Sequence, residues 1–233
     1  MKRFWDRAEP CAAGDGFAVL LDGRPVRLPG GTALAVGSRP LAEALAEEWD
    51  RAGGGKGAEV RWEELGLTRL VGTAIERIAP DPSPTVAALA AYAETDLLCY
   101  RAEDARLAER QAREWQPLLD WAALALDAPL RVTVGLMPVP QPAGSVGAIR
   151  AVLAARPPLM LAALGAAVPA LGSVVLGLAL AEGRLDAAEA ARLAMLDETF
   201  QAELWGEDAE AAARRAAIRA DLALAARLMA LAA

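Results

Sequence analysis

The segment IAPDPSP, residues 78–84, carries prolines at three alternate positions and separates two parts of the chain with different sequence patterns. Proline lacks an amide donor and disfavours a helical conformation at the residue before it, so alternating prolines are typical of a linker. We therefore predict a domain boundary here. A small β-rich domain with one or two helices is expected over residues 1–80. A larger all-helical domain is expected over residues 81–233, which makes the fold class α+β.

The N-terminal part has the signature of a β-hairpin. Apolar runs at residues 17–21 and 24–28 flank the pair Asp22-Gly23. Such a pair favours a tight turn, because Asp and Gly accept the positive φ angles that the turn requires. A helix over residues 39–51 is predicted to follow, since apolar side chains recur there every four positions.

The C-terminal part contains an uncharged run, residues 157–181, that is long enough to cross a membrane. The run is rich in alanine and glycine, has Pro169 near its middle, and lacks aromatic residues that could anchor its ends. Two short buried helices interrupted near Pro169 fit this pattern better than one membrane span. We predict no membrane insertion.

The composition narrows the possible functions. The chain of 233 residues has a net charge of −7 and no histidine. An acidic chain repels phosphate backbones, so nucleic acid is not expected as a partner. Cys11 and Cys99 lie far apart in the sequence, so a structural zinc site is not expected, and no metal or cofactor is predicted. Both cysteines are expected to be buried free thiols, and a single disulfide between them is the alternative.

The stretch LDETFQAELWGEDAEAAAR, residues 196–214, is the strongest candidate for a functional surface. It combines many carboxylates with a glutamine and a tryptophan, and Gly206 divides it. We predict that a helix over residues 186–205 ends at Gly206 and that Asp208 begins a final helix.

Within the first of these helices, one stripe of the surface holds Asp197, Gln201 and Trp205, which follow each other at four-residue spacing. Asp197 is expected at the rim of the core. Two interpretations remain open. Asp197 forms a structural contact with an arginine or an amide of another helix, or the stripe is a recognition surface anchored by Trp205, because tryptophan is a frequent interface hot spot. The predicted partner-binding residues are Asp197, Glu198, Gln201, Trp205, Glu207 and Asp208.

A second cluster, TDLLCYR at residues 95–101, brackets an apolar run with Asp96 and Arg101. Cys99 has no histidine to act as its base, so the cluster is a weak candidate for an active site. We interpret it as core packing with an internal ion pair between Asp96 and Arg101.

An enzyme is the main alternative class. The adjacent carboxylates of Asp197 and Glu198 could serve a histidine-independent hydrolase. Neighbouring positions of a helix point in different directions, however, and no nucleophile–base pair accompanies the two carboxylates. We predict no enzymatic activity and no catalytic residue. A general helical protein-binding adaptor is a further alternative.

Short motifs along nearly the whole chain resemble those of one known family, the ATP synthase assembly chaperones that attend the alpha subunit of the catalytic head. They occur in the family's order: KRFW (2–5), VLLDGRPV (19–26), LTRL (67–70), DLLCYR (96–101), WQPLLDW (115–121) and LDE…Q…WGxDxEA (196–211).

This resemblance implies a β-rich N-terminal domain, a helical C-terminal domain and a chaperone without ATPase activity. Such a protein would hold the unassembled alpha subunit and prevent its aggregation until it joins the ring, and we expect it to act as a monomer. Eukaryotic relatives act in the mitochondrial matrix. Here the N-terminus, MKRFWDRAEP, has neither an apolar signal core nor a transit-type segment, so we expect a bacterial cytoplasmic location.

Overall fold

The hairpin predicted around Asp22-Gly23 is present in the computed structural model of the chain, which describes residues 1–206 and 208–232. The φ angles of Asp22 (48°) and Gly23 (79°) are both positive. They reverse the chain between strands β2 (Gly16–Leu21) and β3 (Arg24–Pro25), so the turn has the geometry that the Asp-Gly pair favours.

Strands β1 to β4 form an antiparallel sheet with β2 in its middle. β1 (Ala8–Ala13) pairs with β2 along its whole length, and β4 (Ala35–Val36) pairs with the start of β2. The sequence analysis missed β1, because AEPCAA contains no β-branched or aromatic residue. Its pairing is set by the more apolar β2 instead.

Helix α1 (Arg39–Arg51) is present as predicted, and it packs on this sheet. Ser38 caps its N-terminus by accepting a hydrogen bond from the amide of Leu41 at 3.4 Å. Trp49 is buried, and its indole Nε1 donates to Thr68 Oγ1 at 3.0 Å. That bond fixes α2 (Gly66–Thr73) against α1, and α2 continues into a π-helical turn at Ala74–Ile78.

The chain forms two compact units. The first comprises Met1–Asp81 together with Pro158–Ala162 and residues 227–232, and the second comprises Pro82–Pro157 and Ala163–Ala226. The remaining helices are α3 (Ser83–Ala91), α4 (Ala105–Ala125), α5 (Ala143–Ala154), α6 (Pro158–Leu171), α7 (Val174–Ala181), α8 (Ala187–Ala194), α9 (Leu196–Trp205) and α10 (Ala209–Ala232).

Helix α7 lies in the core of the second unit, because every side chain from Val174 to Leu180 is buried. Gly177 allows its close packing on α6, since a Cβ atom there would lie 2.5 Å from Val168 Cγ2. Strands β5 (Tyr100–Arg101) and β6 (Thr133–Val134) add a short parallel pair that the sequence did not predict. The predicted α+β class is confirmed.

The predicted helices of the uncharged run are present as α6 and α7, but the break between them lies at Gly172, which has a φ of 63°, and not at Pro169. Pro169 lies inside α6. In the part of the chain that the structure describes, no helix has both the length and the hydropathy needed to cross a membrane.

Two further expectations are wrong. The single helix predicted over residues 186–205 is interrupted at Met195, which ends α8 and precedes α9. The cysteines are both free thiols, but only Cys99 is buried. Cys11 is exposed, because it lies on β1, whose second half is open to solvent.

Candidate partner-binding surface

The end of α9 presents a large aromatic side chain to solvent. Trp205 is 79% exposed, and the neighbouring Leu204 is 47% exposed. Gly206 follows with a φ of 89°, which turns the chain away from the helix axis. Leu204 continues the four-residue spacing of the buried side chains Leu196 and Phe200, but it is exposed. The break at Met195 starts α9 as a new helix, on which Leu196 and Phe200 are the buried residues.

Asp197 lies about two turns before Trp205 on α9 and is half-buried. Its Oδ1 accepts a hydrogen bond from Gln111 Nε2 of α4 at 2.8 Å. Burial raises the pKa of the Asp197 carboxyl, while the hydrogen bond from Gln111 and the charge of Arg101 oppose the shift. The structural interpretation of Asp197, an amide contact between helices, is therefore confirmed.

Gln111 is itself buried and connects Asp197 to a third element. Its Oε1 accepts a hydrogen bond from the amide of Ala102 at 2.7 Å, just after β5. β5 in turn pairs with β6, so one glutamine links α9, α4 and this strand pair. The sequence offered no signal for Gln111, since its partners lie far from it in the chain or on the backbone.

The ion pair predicted between Asp96 and Arg101 is wrong, because the two residues have different partners among the described residues. Asp96 accepts hydrogen bonds from Ser173 Oγ at 2.7 Å and from the amide of Val175 at 3.1 Å, at the N-terminus of α7. Arg101 donates to the carbonyl oxygens of Leu98 and Tyr100, and its guanidinium lies 5.6 Å from the ring centre of Trp115. The carboxylate therefore satisfies free helix amides, and the guanidinium satisfies backbone carbonyls.

The other predicted residues differ in their exposure and in their hydrogen-bond partners. Glu198 is half-buried, and its Oε1 accepts a hydrogen bond from Arg214 of α10 at 2.8 Å. Gln201 is exposed. Asp208 is also exposed, and its Oδ2 accepts a hydrogen bond from the amide of Ala211 at 3.0 Å, which confirms its predicted role as a cap of the final helix. Glu207 lies outside the described residues.

A second exposed apolar feature of the same unit was missed in the sequence analysis. The segment VTVGLM, residues 132–137, exposes Val134, Leu136 and Met137, with Leu136 93% exposed. The exposure of this segment could have been predicted from the sequence. An uncharged apolar run that lies between turn-forming residues and outside any helical pattern is not expected to pack in the core. β6 forms the start of this segment and is held by β5.

The geometry does not favour the hydrolase interpretation. Asp197 and Glu198 are bonded to different helices, α4 and α10, and each contributes to a helix contact. Within residues 1–206 and 208–232, no group of histidine, cysteine, aspartate and glutamate side chains is arranged to hold a metal ion. The end of α9 combines the exposed indole of Trp205 with polar and acidic side chains nearby in the sequence, a combination that is common in protein interfaces.

Comparison with known proteins finds a matching family and similar solved structures. The sequence pattern of the family described as ATP12 chaperone protein matches residues 2–123. The crystal structure of Atp12 from Paracoccus denitrificans is 42% identical, covers 100% of this chain and 98% of its own, and superimposes with a TM-score of 0.92. A mutant of the same Paracoccus protein superimposes with a TM-score of 0.92 and is 41% identical, with the same coverage of both chains.

A more distant relative is the mitochondrial protein atp12 of Schizosaccharomyces pombe. It is 28% identical over 222 residues, which span 89% of this chain and 75% of the relative. These similarities place the chain in a family of chaperones. It belongs to the ATP12 chaperone family, which confirms the family that its motifs resemble.

Proposed function

We propose that this chain is an assembly chaperone of the proton-translocating ATP synthase and that its client is the unassembled alpha subunit of the catalytic head. The family membership supports a chaperone role, and the sequence motifs support this client. The protein acts by binding alone and has no catalytic activity of its own. This proposal agrees with the names of its relatives, which describe chaperones.

The observation that carries the proposal is the exposure of Trp205 at the end of α9. A tryptophan exposed to this extent is costly in water and is a frequent anchor of protein interfaces. In the proposed complex, Trp205 and Leu204 contact an apolar patch of the client. Gln201 and Asp208 form the polar border that orients the client and speeds its association.

Asp197 and Glu198 have a positioning role in this proposal. Asp197 fixes α9 on α4 through Gln111, and Glu198 joins α9 to α10 through Arg214. The two contacts hold the end of α9, so Trp205 is presented in one orientation. Preorganisation of this kind lowers the entropy cost of binding.

A subunit of a ring needs such a partner for a physical reason. Before its neighbour arrives it exposes a large interface, and exposed apolar surface promotes aggregation. A chaperone that covers the interface must leave when the neighbour competes for it. A small aromatic anchor with a polar border suits this requirement, because its affinity is moderate and its association is fast.

The test is an aggregation assay with the alpha subunit diluted from denaturant, followed by light scattering, with and without this chain and without ATP. We expect the chain to suppress the scattering and to co-purify with the alpha subunit. Beta subunit, treated in the same way, is the matched control client. Equal suppression for both subunits would favour a general adaptor over an alpha-subunit chaperone, and no suppression of either would refute the proposal.

We also propose the bacterial cytoplasm as the site of action. The chain is more similar to the Paracoccus protein than to the mitochondrial relative of S. pombe, at 42% against 28% identity. Fractionation of the cells that produce the protein, with immunodetection in each fraction, tests this location.

A further inference from the structure

A groove of about 680 Å³ lies in the first unit, and none of its lining residues is among those discussed as client contacts. One wall is the segment after β3, residues 26–30, and the other is one face of α2 and the π turn. Val26 and Leu28 are buried beneath the groove, and Trp62 stands at its border with 48% of its surface exposed. The groove therefore has an apolar floor and an exposed aromatic side chain.

The two walls are held together by specific contacts. Gly72 of α2 faces Leu28, and a Cβ atom at Gly72 would lie 3.0 Å from Leu28 Cδ2. Across the groove, the carboxylate of Glu76 accepts hydrogen bonds from the amides of Gly30 at 3.0 Å and Thr32 at 3.4 Å. The carboxylate of Glu76 is thus bound to the backbone of the segment after β3, and its hydrogen bonds hold the two walls of the groove together.

The border of the groove is basic although the protein is acidic. Arg27, Arg69 and Arg77 line it, and all three are exposed. Arg27 Nη1 donates to the carbonyl oxygen of Gly31 at 2.9 Å. In the described part of the chain, Arg69 and Arg77 have no carboxylate within ion-pair distance. The chain has a net charge of −7, so this cluster makes the charge around the groove opposite in sign to that of the whole protein.

The helical segment that carries Arg69 and Arg77 is locally irregular. The amide of Ala79 donates to the carbonyl oxygen of Ala74 at 2.8 Å, which closes a π turn next to Glu76 and Arg77. π turns are rare and occur frequently at functional sites. The irregularity lies in the wall of the groove.

We propose that this groove binds an acidic, extended segment of a partner protein. Arg69 and Arg77 bind carboxylates of the segment, and an apolar side chain of the segment packs on Trp62 and the floor. The basic border selects against basic and neutral segments. The net charge of the whole chain disfavours a long polyanion such as RNA, which leaves a peptide as the occupant. This inference goes beyond the proposed function and does not depend on the identity of the client.

The test is fluorescence anisotropy with a labelled peptide of sequence Glu-Leu-Glu-Phe-Asp-Leu-Glu and the full-length protein. The matched control peptide replaces each Glu by Gln and the Asp by Asn. We expect saturable binding of the acidic peptide, weakened by added salt, and much weaker binding of the neutral peptide.

The protein variants are the double variant Arg69→Glu/Arg77→Glu and the single variant Trp62→Ala. The matched control is Arg24→Glu, which changes an exposed arginine of β3 that does not line the groove. We expect the double variant to bind the acidic peptide about ten-fold more weakly or worse, and the control to stay within about two-fold of the wild type. Trp62→Ala is expected to weaken binding of both peptides, since it removes apolar contact. Thermal melting of each variant verifies that it is folded.

Three results would overturn the inference: absence of binding of the acidic peptide, equal binding of both peptides, or equal effects of the double variant and Arg24→Glu. Stronger competition by a single-stranded oligonucleotide than by unlabelled peptide would also overturn it, in favour of a nucleic-acid site. Each variant is also tested for suppression of alpha-subunit aggregation. If the peptide-binding tests fail, suppression of alpha-subunit aggregation is expected to be unchanged. The failure of this inference can therefore be distinguished from the failure of the proposed function.

Discussion

Gln111 and Asp197 join α4 to α9: Gln111 Nε2 donates to Asp197 Oδ1 at 2.8 Å, while Gln111 Oε1 accepts the amide of Ala102 at 2.7 Å. Only 1% of Gln111 is exposed, so water cannot replace either partner. Both the Nε2 and the Oε1 of Gln111 have a hydrogen-bond partner. Loss of either partner would leave a buried polar group unsatisfied and would lower the stability of the fold.

Replacement of Asp197 by alanine is expected to lower the free energy of unfolding by about 1–3 kcal/mol, because it leaves the buried amide of Gln111 without its acceptor. Asp197→Asn retains an acceptor oxygen and is expected to restore most of the loss. Urea unfolding followed by circular dichroism measures both variants. The matched control is Asp221→Ala at an exposed position of α10, which should change stability by less than about 0.5 kcal/mol. Equal losses for Asp197→Ala and Asp221→Ala would show that the contact with Gln111 contributes nothing.

The sequence predicted where Asp197 lies, but it did not predict which residue is its hydrogen-bond partner. Helical periodicity alone placed it at the rim of the core, and the cost of burying an unpaired charge required a polar partner. The identity of that partner depends on how α4 packs on α9, which no local pattern encodes. The same limit applies to Asp96, whose partner Ser173 lies 77 residues further along the chain.

Asp208 is expected to contribute to stability through the first turn of α10. Its Oδ2 accepts the amide of Ala211, one of the amides that have no partner within the helix. Asp208→Ala should therefore cost about 1 kcal/mol, and Asp208→Asn much less, since asparagine is an equally good cap. Thermal unfolding of the two variants tests this difference. If Asn and Ala variants melt together below the wild type, charge and not capping explains the loss.

The buried carboxyl of Asp96 predicts a pH dependence of stability. Burial raises its pKa to about 6, against the opposing effect of hydrogen bonds from Ser173 and from the amides of Val175 and Leu98. In the unfolded chain the pKa of Asp96 is about 3.9. Between about pH 4 and pH 6 the folded state therefore binds the proton of Asp96 more tightly than the unfolded state does. The stabilising contribution is complete below about pH 4 and is lost as the pH rises through about 6.

The predicted loss from this group is about 2–3 kcal/mol between pH 4 and pH 7. Asp96→Asn cannot ionise and should lack this component, although it is less stable at every pH because its amide group faces helix donors. The measurement is urea unfolding of both proteins across this pH range. Other carboxylates contribute equally to both, so the difference between the two curves isolates Asp96. Parallel curves would refute the raised pKa.

Secondary structure was predictable where a local rule decides it and not where packing decides it. The turn at Asp22-Gly23 and the cap of α10 at Asp208 follow local rules and are confirmed. The two helices of the uncharged run are also present, although the break between them lies at Gly172 and not at Pro169. β1 and the two-residue pair of β5 and β6 follow from their neighbours in space, so they were missed. No glycine or proline lies at the break at Met195. The sequence therefore predicted one helix where the structure has α8 and α9.

We propose that the two domains are residues 1–80 and 81–233, with the alternating prolines as their linker. The division of the chain into units near Asp81 supports this boundary. Subtilisin, a protease of broad side-chain specificity, should at low concentration cut first beside Leu136, which is exposed in a segment outside the helices, or within residues 78–84. Mass spectrometry of the early fragments locates the cuts. First cuts inside α7 or α4 would contradict this organisation.

The central claim is that the surface around Trp205 binds the alpha subunit, and the affinity of a Trp205→Ala variant tests it most directly. The matched control is Leu124→Ala, which removes an apolar side chain of the same unit that is 89% exposed at the end of α4. Both variants should melt close to the wild type, because neither side chain is packed. Biolayer interferometry with immobilised alpha subunit should show Trp205→Ala weakened by about 2 kcal/mol, or about 30-fold, and Leu124→Ala unchanged. Equal affinities of Trp205→Ala, Leu124→Ala and the wild type would contradict the account and place the client site elsewhere.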